Sequence, residues 1–173
     1  DHSWYDLFAG SLSIERNSLD YKQYPISGRK QFLVAQYVTG TEKYMPSPIT
    51  DMGSFDRKVH SWLQMKGEWE QYKTISPYFN LGFMSELVLS SKNLMNNYTA
   101  SVLQAPAFTP TPHSQIVFNE EFRANQYVAF GLSPILKFSK LLHFRLDMYG
   151  FAPLYEIKKE EVWNNNTYTA IPY

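Results

Sequence analysis

The sequence predicts an all-β chain, an antiparallel up-and-down meander of long strands forming part of an outer-membrane β-barrel. Three observations lead there. Apolar and polar residues alternate with a period of two over stretches of eight or more residues. Those stretches are longer than the roughly 5–6 residues of an ordinary strand. The connections between them alternate between short and long.

Taken in order, the strands are expected at 4–15, 29–44, 58–74, 79–91, 124–138, 141–156 and, more faintly, 162–173. The first shows the pattern least cleanly, because Asp6 interrupts its apolar face. The third sets Leu63, Met65 and Trp69 (with Gly67 between) against Lys66, Glu68 and Glu70. The fourth puts Leu81, Phe83, Leu87 and Leu89 on one face. The fifth does the same with Val128, Phe130 and Leu132, opposite Ala129, Gly131 and Ser133. The sixth alternates Leu142, Phe144, Leu146 and Met148 with His143, Arg145, Asp147 and Tyr149. Residues 75–78 and 139–140 are short turns, whereas 45–57, 92–123 and 157–161 are longer. Segment 92–123 carries Pro106, Pro110 and Pro112 and is expected to be a structureless loop. Such a loop is uncommon in a compact soluble domain and ordinary on one side of a membrane barrel. The 16–28 connection departs from the scheme: it falls on the short-turn side, yet is of medium length.

The chain of 173 residues is expected to be a single domain or a fragment of one. It balances 16 basic against 16 acidic residues, which argues against nucleic acid as a partner. It has no cysteine, so disulfides, thiolate metal sites and thiol nucleophiles drop out. Aromatic residues reach 17% while charged ones reach only 18%, against about 25% charged in an average soluble protein. No apolar run approaches the ~18 residues of a transmembrane helix. The first residues, Asp1 to Asp6, do not resemble a signal peptide, and with no initiator Met the chain is expected to start inside a longer protein.

Alternation alone does not say which face meets what. In a soluble sheet the apolar face turns inward; in a membrane barrel it turns outward to lipid and the polar face lines the lumen. Strand length, loop asymmetry and ring placement favour the barrel. Trp4, Tyr5, Tyr37, Tyr44, Trp62, Trp69, Tyr72, Tyr78, Tyr127, Phe138, Tyr149, Phe151 and Tyr155 gather near strand ends, as in the aromatic girdles of barrels. Aromatic residues are also good strand formers in any sheet. Leu63, Met65, Trp69, Leu81, Phe83, Leu87, Leu89, Val128, Phe130, Leu132, Phe144 and Leu146 are therefore expected to face lipid, and Lys66, Glu68, Glu70, His143, Arg145 and Asp147 to face the lumen.

No catalytic, cofactor-binding or metal-binding residue is expected. There is no Gly-x-Ser-x-Gly elbow, no Gly-x-Gly-x-x-Gly and no P-loop, and His2, His60, His113 and His143 form no local pair. The bland reading of the charge clusters, Glu86 included, is a solvated face with cross-strand ion pairs of about 0.2–1 kcal/mol each.

One stretch carries more than pattern. Residues 97–112, from Asn97-Tyr98-Thr99 through Gln104-Ala105-Pro106 to Pro112, followed by Phe122-Arg123-Ala124-Asn125-Gln126-Tyr127-Val128-Ala129, resemble the C-terminal region of certain bacterial patatin-like phospholipases. Residues 36–46 and the strand around Trp62 are similar to that region as well. In that family a patatin domain precedes a barrel of the bacterial surface-antigen type. The resemblance implies an outer-membrane protein of a Gram-negative bacterium. Its partners would be membrane lipid, the rest of its own polypeptide and, in some arrangements, a second copy. It also implies lipid acyl hydrolysis by a Ser–Asp dyad in Gly-x-Ser-x-Gly and Asp-Gly motifs. Neither motif occurs here, so no catalytic residue carries over. About seven strands do not close a barrel of the family's size, and the chain is expected to be one part of it. The alternative is a soluble β-sandwich or lipocalin-like module that binds an apolar ligand or a protein partner.

Overall fold

The computed structural model describes residues 2–45, 56–92, 95, 98–139, 142–155 and 157. The expected strand at 162–173 lies outside them. Seven strands form one antiparallel sheet that is not closed: β1 (His2–Asn17), β2 (Gly28–Met45), β3 (Asp56–Ser76), β4 (Phe79–Ser90), β5 (Gln126–Lys137), β6 (His143–Arg145) and β7 (Met148–Tyr155). Each of β1 to β5 pairs with the next, and β6 and β7 share the far edge of β5. The meander expected from the sequence is therefore present as an open sheet.

Two expectations are corrected. The stretch 141–156 is not one strand. In a strand the N–H and C=O of a residue point to the same neighbour. The Pro134 carbonyl accepts from the Leu146 amide at 3.1 Å, so the missing proline N–H is the return bond on that side. The ladder breaks there, between β6 and β7. Nor is 92–123 structureless. It holds a short helix, α1 (Tyr98–Gln104), which buries Ser101 and Val102, and a 3-10 turn at Glu120–Phe122. Asn119 caps that turn by accepting from the Glu121 amide at 3.1 Å.

The long connection folds back on one face of the sheet. Phe108 packs into a cluster with Val88, Ala124, Tyr127 and Ala129, edged by Met84, Tyr149 and Phe151. Its ring stacks on Phe151 at 6.0 Å and meets Tyr127 edge-on at 6.5 Å. Met95 packs with Val38 and Trp62, with Tyr5 and Ala100 alongside. These two small clusters supply the dry core among the described residues, and both sit on the same side of the sheet.

Candidate functional site

Strand register assigns every side chain to a face. Met65 pairs with Leu89, Gly67 with Leu87, Phe83 with Leu132 and Leu87 with Val128. Leu136 pairs with Phe144. Leu63, Met65, Trp69, Leu81, Phe83, Leu87, Leu89, Val128, Phe130, Leu132 and Phe144 therefore share one face, joined by Leu12 and Ile14 of β1 and Leu33 and Tyr37 of β2. Leu146 lies between β6 and β7 and is exposed, like ten of those eleven; Leu81 is half-buried. No described element covers this face.

The opposite face carries the charges and is covered by the 92–125 connection. Lys66, Glu68 and Glu70 project from β3, Glu86 from β4, Lys30 from β2 and Arg145 from β6, with Asp147 just beyond. His143 shares this parity but is exposed at the sheet margin. The solvated-face reading of these clusters is therefore corrected. Cross-strand ion pairs are present, but Glu86 retains only 4% of its accessible surface and the other charges are half-buried.

Burial of charge is tolerable only where partners replace water. Here they form a continuous ladder. The Tyr127 hydroxyl donates to Glu86. Lys66 Nζ lies 3.1 Å from Glu86 and 2.9 Å from Glu68; Lys30 Nζ lies 2.9 Å from Glu68 and 3.8 Å from Glu70. The ladder thus crosses from β5 to β2. A second node surrounds Arg145. Its Nε donates to Asp147 at 2.7 Å, Nη1 to the Pro25 carbonyl at 2.8 Å and Nη2 to the Tyr72 hydroxyl at 3.2 Å. A polar cavity of about 220 Å³ lies against both nodes, bounded by Lys22–Pro25 on one side and Thr109–Pro112 with Gln115 on another.

A third polar node lies toward α1. His60 Nε2 is 2.7 Å from Glu42 Oε2, and the Tyr5 hydroxyl donates to Glu42 Oε1 at 3.1 Å; Glu42 is fully buried and His60 nearly so. Sequence reasoning treated His60 as one more scattered histidine. The available signal was parity: His60 and Glu42 both lie on the charged side of their strands. Lys92, just past β4, is buried with its ammonium over the Trp62 ring and 3.4 Å from Gln104 Oε1. Burial pushes its pKa down to about 8.

The aromatic residues split between the faces. Trp4, Tyr37 and Trp69 stand on the apolar face, but Tyr5, Trp62, Tyr72, Tyr127, Tyr149 and Phe151 stand on the charged one. The latter six do not belong to an outer girdle. They pack under the long connection or hold the hydroxyl ends of the ion-pair nodes.

Among the described residues nothing in this arrangement assembles a nucleophile, base and oxyanion donors. Ser11 lies in mid-strand in β1. Among the described residues no group of three His, Cys, Asp or Glu side chains could hold a metal ion. The arrangement can line a polar interior beneath an apolar exterior. Comparison of the chain with models of protein families, with curated proteins and with solved structures gives no match.

Proposed function

We propose that this chain is a wall of an outer-membrane β-barrel that anchors or translocates a patatin-like lipid acyl hydrolase domain lying elsewhere in its polypeptide. The observation that carries the barrel is the inversion of the faces. On β4, Leu87 keeps 43% of its accessible surface while the neighbouring Val88 keeps none and Glu86 only 4%. The covered side is the charged one, and the aliphatic side is open. Water as the only solvent would reward the reverse; a bilayer outside and a polar interior reward this one. Strand lengths agree, since β1 to β5 run from 12 to 21 residues against the roughly 9–11 needed to span a bilayer.

On this reading the free edges of β1 and β7 are paired by further strands, because unpaired backbone is not tolerated in lipid. The patatin-like part rests on the resemblance of residues 97–112 and 122–129, and on the absence from this chain of any elbow or dyad motif. Its role is then support rather than chemistry.

Two tryptophans of one strand test the faces. Trp62 and Trp69 have opposite parity on β3. In the full polypeptide reconstituted into vesicles, a form keeping only Trp69 should be quenched by bromine-labelled acyl chains. A form keeping only Trp62 should not. Equal quenching, or an unmodified polypeptide that stays monomeric in buffer without detergent, would exclude the barrel in favour of a soluble module. Hydrolysis of a fluorogenic fatty ester tests the rest: it should survive substitution of every serine within residues 1–173 in turn. Absence of hydrolysis by the full polypeptide would sink the lipase assignment while leaving the barrel standing.

A further inference from the structure

The β1–β2 connection is longer than a hairpin turn needs, and it does not extend away from the sheet. It is built as a compact body. The Asp20 carboxylate accepts from three amides of the loop: Tyr21 at 3.0 Å, Ile26 at 3.0 Å and Ser27 at 3.2 Å. The neck is closed by Ser18, whose amide donates to the Arg29 carbonyl at 2.8 Å. Gly28 sits in the neck at φ +103°, where an added Cβ would fall 2.2 Å from the Ser18 carbonyl oxygen. Residues 19–27 are therefore tied to themselves and joined to the strands through a narrow stem.

That body leans over the charged face and is fastened there by two residues from distant strands. Asn80 of β4 donates to the Ile26 carbonyl at 2.7 Å. Arg145 of β6 donates to the Pro25 carbonyl, and its guanidinium lies 5.6 Å from the Tyr24 ring centre. Tyr24 is the one non-glycine residue at positive φ (54°) among the described residues. A side chain held in the left-handed region costs free energy and persists only where its surroundings hold it; the Arg145 guanidinium over its ring is one such hold. The Arg145 guanidinium meanwhile stays bound to Asp147 and Tyr72 of the wall. One side chain thus ties the loop to the lining.

We propose that residues 19–27 are a hinged cap closing one mouth of the polar interior, with Arg145 as its latch. The proposal rests on reading the charged face as the lining of a passage. The cap, through Lys22–Pro25, and residues 109–112 with Gln115 line the same cavity, so two separate parts of the chain border the interior. Opening this mouth requires release of the Pro25 and Ile26 carbonyls and of the Tyr24 ring. It does not require rupture of the ladder from Tyr127 to Glu70, because no member of that ladder contacts the cap through a hydrogen bond or ion pair described above.

Residues 1–173 contain no cysteine. In a full polypeptide with any cysteine outside them replaced by serine, Met84→Cys places a single thiol against the cavity, and Lys58→Cys places a reference thiol at the exposed other end of β3. Each is titrated with a positively charged, membrane-impermeant methanethiosulfonate, with and without Arg145→Gln or Tyr24→Ala. Both latch variants should raise the labelling rate of Met84→Cys by about tenfold or more, the scale set by losing one charge-assisted contact to a local closure. Lys58→Cys should label at one rate throughout. An unchanged rate at Met84→Cys in Tyr24→Ala would overturn the latch, whether or not Arg145→Gln folds. Labelling of Met84→Cys as fast as Lys58→Cys in the chain with Arg145 and Tyr24 intact would overturn the closure itself. The measurement runs in detergent or in buffer, so it fails independently of the tryptophan quenching that tests lipid contact.

Discussion

Strands β5 and β1 belong to the same sheet and differ almost completely in what surrounds them. From Tyr127 to Ile135, β5 alternates between buried residues and more open ones, and it is paired on both edges. Strand β1 is paired only with β2, and its side chains are exposed nearly throughout. Ser13 shares the charged side of the sheet with Tyr127, yet it is open to solvent while Tyr127 is fully buried. The difference shows that burial in this molecule follows what lies over a face, and the 92–125 connection reaches from β5 only as far as Val38 and Tyr5.

Five substitutions would sharpen or break that comparison. Phe108→Ala removes the ring on which the cover is seated against β5. It should cost about 3–5 kcal/mol, the range for a buried Phe truncated to Ala, measured by urea unfolding of the folded polypeptide. A cost below that of an exposed site would mean the cover does not hold β5. Next, Leu87→Arg on the open face should cost roughly 2–4 kcal/mol near a bilayer midplane and about 0–1 near an interface. Glu68→Gln on the covered face should cost less, because Gln keeps the size and a hydrogen-bond acceptor for its two lysine partners and both lysines retain part of their contact with solvent. Equal losses of folding into vesicles would erase the distinction between the faces.

Lys92→Met probes the cover through pH. The unfolded chain holds the Lys92 proton to about 10.5, and the folded chain releases it near 8. Between those values the unfolded state binds more protons, so stability rises with pH from about 8 to about 10.5. Below that window the buried ammonium weakens the fold. Lys92→Met should stabilise the protein at neutral pH and flatten this rise; a variant with an unchanged pH profile would show that the ammonium reaches water. The smallest effect belongs to Ser13→Ala in β1, within about 0.5 kcal/mol, as for an exposed site with no special contact. A large loss there would reveal that the cover extends beyond Tyr5 to the other end of β1.

Much of this was legible before any coordinates. Parity put Leu63 and Lys66 on opposite faces of β3 because the strand period is two and no bulge separates them. The charge clusters were found for the same reason. What escaped was set by contacts that sequence spacing does not encode. The seven residues of α1 are too few for a helical period to stand out. The break at Leu146 depends on which edge of β5 Pro134 presents. The hydrogen-bond partners of Arg145 come from residues 25, 72, 133 and 147, and only the last is near in sequence. The pairing of His60 with Glu42 required the β2–β3 register, and the inward turn of Trp62 and Tyr127 required knowing that a loop would return over them.

The placement of that long connection also has a consequence for how the chain assembles. Strands β3 and β4 are joined by a turn of two residues and can pair as soon as both exist. The pairing of β4 with β5 must instead close a loop that contains α1 and the 3-10 turn, and loop closure carries an entropic cost that grows with length. The chain is therefore divided, along its sequence, into an early unit of β1–β4 and a later unit of β5–β7. Gln126, at the start of β5, donates to the Ser90 carbonyl at the end of β4 at 2.6 Å, and Phe108 touches both units at Val88 and Tyr127. Docking of the two units and seating of Phe108 are then a single event, so the interior would fill as the wall is completed.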